Sequence, residues 1–178
     1  MERRDFTGFG GIRLAGDAYG SPDEPTVLLV PTTGQSRDFW HGSAEALAAA
    51  GRHAICVDLR GHGDSGHAPD GRYDLDAHIA DLKAILAALP SRAFVVAAGL
   101  GAIVAIAAAG EAAPHLVSGL ALVDATIWFD HEVILRLQSA LARRAGAFAD
   151  PAAILEAVAA LHPGEPRPAA TDRPRCAG

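Results

Sequence analysis

Short apolar runs alternate with amphipathic stretches over most of this chain. Four of the runs contain almost no polar residue, as is typical of strands buried on both faces of a parallel sheet. These predicted strands are Thr26–Pro31, Ala54–Val57, Ala93–Ala97 and Leu116–Val123. Helices are predicted in the intervals, at Ser43–Ala50, Asp74–Leu89 and Gly101–Glu111. The alternation favours an α/β fold in which helices cover a largely parallel sheet.

The two ends of the chain differ from this alternation. At the front, Phe6–Phe9 and Ile12–Tyr19 flank a pair of glycines and predict an antiparallel hairpin. Toward the other end, two helices are predicted at about 131–145 and 151–161. After His162 the chain has four prolines and no large apolar residue. Such a segment buries too little apolar surface to fold, so 163–178 is predicted to be a disordered tail.

Composition and charge mainly exclude function classes. Half of the 178 residues are apolar, which is enough for one domain with an ordinary core. The formal net charge is −6 and the arginines are scattered, so no nucleic-acid partner is expected. The uncharged stretch from Ala93 to Gly110 is interrupted by Gly99 and Gly101. A buried strand and helix are therefore expected there, and no membrane association.

Cysteines and histidines suggest neither a disulfide framework nor a metal centre. Cys56 lies in an apolar run and Cys176 in the tail, which favours a reducing compartment and a cytoplasmic location. The eight histidines show no spacing typical of metal ligands, so no metal is predicted. The pair Gly99-Leu-Gly101 lacks the third glycine of a dinucleotide fingerprint, where Val104 stands, and no cofactor is predicted.

Three segments at predicted strand ends carry the motifs of this chain. The first is Pro31-Thr32-Thr33-Gly34, the second is Asp-Leu-Arg-Gly-His-Gly-Asp-Ser at 58–65, and the third is Ala-Ala-Gly-Leu-Gly at 97–101. In this order and spacing they resemble the α/β-hydrolase superfamily over roughly Arg4 to Asp130. The resemblance implies a three-layer α/β sandwich. It predicts an α/β-hydrolase core of about six strands at 1–130, and the start of a helical lid at 131–162.

The third segment departs from the family at the nucleophile. The family has a G-x-S-x-G elbow, in which a strained turn presents a catalytic serine. The serine position here is Gly99, which has no side chain. Acyl transfer on this fold needs an oxygen, sulfur or carboxylate nucleophile with a histidine base, so no catalytic residue is predicted.

Two further departures concern the oxyanion hole and the histidine. The resemblance places the oxyanion-hole donors at Thr32 or Thr33 and at Leu100. However, this chain has Pro31-Thr32-Thr33-Gly34 where the family usually has His-Gly, often followed by further glycines. Branched side chains there restrict close approach of a substrate. The family's histidine follows its last strand, beyond the position of His162, so we expect the histidine to be absent from this chain.

Other residues near the expected mouth of a pocket each have a structural and a functional interpretation. His62 either shapes its loop or acts as a base, and Ser36 either caps a turn or replaces the nucleophile. Asp124, at the end of the sixth strand, either orders its loop or serves as an acid. Trp40 and Trp128 either pack in the core or line a pocket for a small-molecule ligand.

Three hypotheses on function remain open at this point. The favoured one is an α/β-hydrolase-fold protein that is catalytically inactive, a pseudoenzyme that binds a small molecule or a protein. The alternative is an active ester-type hydrolase that uses unorthodox residues or is completed by a partner chain. The third is a hydrolase whose reading frame is lost near residue 162. Without further strands the sixth strand would be a bare edge, which predicts self-association through that edge.

Overall fold

The computed structural model describes residues 1–125, without the side chains of 111 and 112. Trp128, the two predicted helices near 131–145 and 151–161, and the predicted tail lie outside the described residues. The strands are β1 Glu2–Thr7, β2 Arg13–Tyr19, β3 Thr26–Val30, β4 His53–Val57, β5 Ala93–Ala98 and β6 Val117–Val123. The helices are α1 His41–Ala49, α2 Leu75–Ala87 and α3 Gly99–Ala107.

The six strands form one mixed sheet in the order β1-β2-β4-β3-β5-β6. β1 pairs antiparallel with β2, and β2 pairs antiparallel with β4. The pairs β3 with β4, β3 with β5, and β5 with β6 are parallel. This arrangement confirms the predicted front hairpin and largely parallel sheet.

Apolar side chains leave the sheet on both faces, as expected for buried parallel strands. Leu28 and Val30 of β3 join a core cluster with Leu82 and Leu86 of α2. Leu29, on the same strand but the opposite face, joins a second cluster with residues of α1 and the segment before it. Two helical layers therefore cover one sheet, and the predicted three-layer α/β sandwich with a hydrolase-like core is confirmed.

Several element boundaries were predicted wrongly by two or more residues. β1 ends at Thr7 rather than Phe9, α1 begins at His41 rather than Ser43, α2 ends at Ala87 rather than Leu89, and α3 ends at Ala107 rather than Glu111. β1 begins at Glu2 rather than Phe6, because its register with β2 extends from Glu2 opposite Ala18 to Thr7 opposite Arg13. Its first residues are mostly exposed and charged, so an edge strand leaves no apolar signal in the sequence. α3 begins at Gly99 rather than Gly101, directly after β5.

The parallel register brings three loops to one edge of the sheet. Val30 of β3 lies opposite Ala97 of β5, and Leu29 lies opposite Cys56 of β4. Since the carboxyl ends of parallel strands meet at the same edge, the segments after residues 30, 57 and 98 are neighbours. All three motif segments of the sequence are therefore adjacent in the structure.

Two observations concern the predicted partners of this chain, which were a second copy at the outer edge of β6 and no membrane. Within residues 1–125, β5 is the one strand that pairs with β6, and Leu122 and Val123 near its end are 41% and 40% exposed. Self-association through this edge stays a prediction. Among the same residues, no helix combines the length and the apolar character needed to cross a membrane.

Candidate functional site

A sharp turn joins β5 to α3 with no intervening loop. Ala98 has extended backbone angles (φ −118°, ψ 146°), and Gly99 immediately adopts a left-handed φ of +48°. At Gly101 an added Cβ would lie 2.9 Å from Cγ1 of Val30 and would also collide with the carbonyl of Pro31. A glycine at 101 therefore lets the first turn of α3 pack closely on the end of β3. The turn has the strand-to-helix geometry of a nucleophile elbow.

The side chain of Thr32 fills the space in front of this turn. A Cβ placed on Gly99 would lie 2.6 Å from the Cβ of Thr32 and would also collide with its hydroxyl oxygen. The backbone N–H of Leu100 donates a hydrogen bond of 3.3 Å to that same hydroxyl oxygen. Of the predicted oxyanion-hole positions, the structure thus brings Thr32 and Leu100 together, while Thr33 is exposed.

The loop after β4 is held by a buried arginine that the sequence analysis did not single out. The Arg37 side chain is 7% exposed, and its guanidinium bonds Asp17 through Nε at 2.8 Å and Asp64 through Nη2 at 2.7 Å. Nη1 forms an ion pair with Asp58, which also accepts the backbone N–H of Arg37 at 2.6 Å. One arginine therefore connects β2, the loop after β3 and the loop after β4.

Arg37 and its partners Asp17, Asp58 and Asp64 form an arginine cluster. Interactions within this cluster shift the pKa values of two of its members. Burial alone would lower the pKa of Arg37, but the bonds to Asp64 and Asp17 outweigh it and raise the pKa. The Arg37 guanidinium in turn lowers the pKa of Asp64, first by its hydrogen bond and then by its charge. A signal for this cluster existed in the sequence: Asp17 lies within the apolar β2 run, and a buried carboxylate needs a partner.

A second buried ion pair anchors the same loop to α2. The guanidinium of Arg60 donates to both carboxylate oxygens of Asp81, at 2.6 Å from Nε and 2.7 Å from Nη2. The side chains are 1% and 6% exposed. Asp81 also accepts the backbone N–H of Phe9 at 2.7 Å. The same carboxylate therefore holds the turn that follows β1. The motif arginine is a structural residue in this geometry.

Comparison with known proteins now identifies the family. A family model described as the alpha/beta hydrolase fold matches residues 25–155 of this chain. This chain belongs to the α/β-hydrolase fold family. The sheet order and the elbow after β5 are the structural counterparts of that match.

Two curated relatives of this α/β-hydrolase chain are named as enzymes. An esterase of Mycobacterium tuberculosis is 34% identical over 127 residues, which cover 71% of this chain and 39% of the esterase. A Variovorax paradoxus protein named as a carbamate hydrolase is 34% identical over 110 residues, covering 61% of this chain and 41% of the relative. This chain thus spans about two fifths of the length of the curated relatives it matches.

A solved structure supports the same fold. The thioesterase domain from the curacin biosynthetic pathway superposes with a TM-score of 0.71 at 24% identity. The match covers 94% of this chain and 64% of that domain. At this identity the likeness shows the α/β-hydrolase fold alone.

His62 of this α/β-hydrolase fold lies between two motif loops, with both ring nitrogens engaged. Its Nε2 accepts the backbone N–H of Gly34 at 3.0 Å, and its Nδ1 lies 3.0 Å from the carbonyl oxygen of Arg60. Both bonds form together when the proton is on Nδ1, where it can be donated to the carbonyl. The imidazole then connects the loops after β3 and β4, and neither nitrogen is left to accept a proton from a nucleophile.

The other predicted site residues have cap, core and surface positions. Ser36 caps the short helix Arg37–Trp40 by accepting the N–H of Asp38 at 3.4 Å. Trp40 is 6% exposed and packs in the apolar cluster on the α1 face of the sheet. Asp124 is exposed after β6 with a left-handed φ of +46°.

One side-chain cluster in the described residues has the composition of a metal site. Asp17, Asp38 and His41 each offer a ligand atom, and these atoms lie within 4.8 Å of one another. Sequence spacing did not reveal this cluster, because Asp17 comes from a distant strand. Nε2 of His41 lies 3.1 Å from Asp17 and 3.3 Å from Asp38, while Asp17 is also bonded by Arg37. Hydrogen bonds and an ion pair within the protein thus already engage these carboxylates.

Proposed function

We propose that this α/β-hydrolase-fold chain does not catalyse acyl transfer by the serine mechanism of its fold, and that it is a non-catalytic relative of the hydrolases. The observation that carries the proposal is the elbow itself. The backbone turn is present, but its apex is Gly99, and no side chain extends from it. A nucleophilic atom attached at this residue is a requirement of that mechanism.

The surroundings of the apex support the same proposal. The N–H of Leu100 is the donor that would stabilise an oxyanion, and it already bonds the Thr32 hydroxyl. A substrate carbonyl would have to displace that hydroxyl to reach the donor. His62 lies within the second motif segment, and both its ring nitrogens have backbone partners.

The scaffold supports a binding role, because the loops after β3, β4 and β5 meet at one edge of the sheet. We propose a small-molecule or protein ligand at the loop edge of the sheet, in a reducing compartment such as the cytoplasm. The compartment is argued from the cysteine usage of the chain, two cysteines in 178 residues with unlike settings. Cys56 itself is a free, buried thiol, and burial raises its pKa to about 12. Such a thiol is a poor partner for disulfide exchange.

The names of the curated relatives suggest the substrates for a direct test. The purified chain is assayed with activated short-chain esters and aryl carbamates, beside a mock purification and a heat-denatured sample of the same chain. We expect the native chain to hydrolyse neither substrate class faster than the denatured chain does. Without a nucleophile at the elbow, only the weak reactivity of ordinary surface side chains acts on these substrates, and both samples share it.

Two variants make the assay informative if hydrolysis is observed. Thr32→Val removes the hydroxyl at the elbow but keeps the side-chain shape, and His62→Ala removes the imidazole. Hydrolysis that requires the folded chain would contradict the proposal. A further loss of that hydrolysis in Thr32→Val or His62→Ala would assign it to an unorthodox nucleophile or base.

A further inference from the structure

We propose that Thr32 and Gly99 are a coupled pair, in which the threonine side chain occupies the place of the missing nucleophile and closes the oxyanion donor. Serine at 99 and any side chain at 32 would then exclude each other. This inference concerns packing alone, so it stands whether or not the chain hydrolyses an ester.

The contact geometry shows why a change of rotamer cannot relieve the clash. The Cβ of a residue at 99 would lie 2.6 Å from the Cβ of Thr32, a separation that real Cβ atoms essentially never show. The backbone fixes both Cβ positions, and χ1 rotation of Thr32 moves only its hydroxyl and methyl groups. Either the loop after β3 must shift, or residue 32 must lose its Cβ.

The positive φ of Gly99 does not by itself account for the glycine. A φ of +48° is strained for a non-glycine residue, but active-site residues tolerate such strain where the surroundings enforce it. Hydrolases of this fold keep a serine on the strained turn of their elbow. The specific obstacle to serine in this chain is therefore Thr32, which stands where the family has the glycine of its His-Gly pair.

The hydroxyl of Thr32 adds a polar reason for the pairing. It accepts the Leu100 N–H at 3.3 Å at the first turn of α3, where backbone N–H groups lack helical partners. Thr32 thereby satisfies a donor that an open oxyanion hole leaves free for a substrate. Filling of space and hydrogen bonding thus favour the same arrangement, with a threonine at 32 and a glycine at 99.

A double-mutant cycle on unfolding tests the coupling. The variants are Gly99→Ser, Thr32→Gly and Thr32→Gly/Gly99→Ser, measured by urea unfolding of the full chain. Gly51→Ser is the matched control, because Gly51 also has a positive φ (+73°) but has open space at its Cβ position. We expect Gly99→Ser to raise the unfolding equilibrium constant by on the order of tenfold more than Gly51→Ser does. Adding Thr32→Gly to Gly99→Ser should recover most of that difference.

A second double variant separates a clash of Cβ atoms from a clash with the hydroxyl. Thr32→Ala/Gly99→Ser keeps the Cβ of residue 32 and is expected to recover little. Equal stability of Gly99→Ser and Gly51→Ser would overturn the proposal, as would equal effects of Gly99→Ser with and without Thr32→Gly. If Gly99→Ser does not fold at all, failure of Thr32→Gly/Gly99→Ser to fold also overturns it.

Amide exchange tests the hydrogen bond independently of Gly99. In Thr32→Val, the N–H of Leu100 loses its acceptor, and we expect its hydrogen exchange to accelerate relative to wild type. The N–H of Ala77 donates to Asp74 at 2.9 Å, an acceptor that the variant leaves in place, and it is the internal reference. An unchanged exchange rate at Leu100 would show that the hydroxyl does not hold this donor. Ester hydrolysis is not read in either experiment, so failure here is distinct from failure of the proposed function.

Discussion

The elbow after β5 and the loop after β4 lie at the same edge of the sheet, but they differ in which parts of the hydrolase pattern remain. In the elbow, the backbone turn is present and the reacting side chain is missing at Gly99. In the loop, the motif is intact, and Asp58, Arg60 and His62 all bond within the protein. The comparison teaches that the motif most similar to the family in sequence makes contacts that hold the fold together, whereas the elbow keeps its backbone turn without a nucleophilic side chain at residue 99.

The largest effect should come from breaking the ion pair that anchors the loop. Asp81→Ala leaves Arg60, whose side chain is 1% exposed, without a carboxylate partner. Removing one partner of a buried pair costs about 3–5 kcal/mol, because the remaining charge stays buried and unpaired. Urea unfolding is expected to show a loss of this size in the free energy of unfolding.

A surface pair provides the control for this prediction. Asp5 bonds Arg13 at 2.7 Å, but the two side chains are 62% and 55% exposed. Asp5→Ala should therefore change the free energy of unfolding by no more than about 1 kcal/mol. If the two variants lose similar stability, the loop motif does not hold the fold together as the comparison describes.

A smaller but still substantial effect is expected at Gly63, the loop counterpart of Gly99. Its φ is +50°, and an added Cβ would lie 2.6 Å from Oδ1 of Asp58, a carboxylate held by Arg37. Left-handed backbone costs alanine about 1–2 kcal/mol, and the clash should add about 1–3 kcal/mol. Gly63→Ala is therefore expected to lower the free energy of unfolding well beyond the backbone cost alone.

Gly71→Ala isolates that backbone cost. Gly71 lies in the same loop with a φ of +70°, and nothing lies within 4 Å of its Cβ position. The difference between the two variants measures the contact with Asp58. A difference near zero would mean that the Asp58 carboxylate moves easily, and the arginine cluster would then be less rigid than its bonds indicate.

The sequence predicted the sheet well where both faces of a strand are buried. The runs at 26–31, 54–57 and 93–97 agree with β3, β4 and β5 to within one residue at each end. It missed the beginning of β1 because an exposed edge strand of charged residues carries no apolar period. Such periodicity arises from burial, so it cannot report a strand whose residues mostly remain in solvent.

The candidate site was predicted only in part, for a similar reason. The resemblance to the family located Gly99 and placed the oxyanion-hole donors at Thr32 or Thr33 and at Leu100, since these residues follow strand ends in a known order. It did not show that the Thr32 side chain occupies the elbow, because the separation between residues 32 and 99 is set by tertiary packing. Arg37 was missed because its partners come from β2 and from a loop after another strand.

The smallest effect concerns the acid stability of the arginine cluster. Arg37 lowers the pKa of Asp64, so between its ordinary value near 3.9 and the lower folded value the unfolded chain binds more protons. The stability from this carboxylate is therefore fully present above about pH 5 and is lost as the pH falls through the folded pKa. Asp64→Asn should cost stability at pH 7 and progressively less toward pH 3, as urea unfolding at several pH values would show.

Asp23→Asn, at an exposed turn, controls for the loss of one negative charge. A pH-independent cost of Asp64→Asn would indicate that Asp64 acts by shape rather than by charge, and the loop would then resemble the elbow, where the side chain of Thr32 fills space.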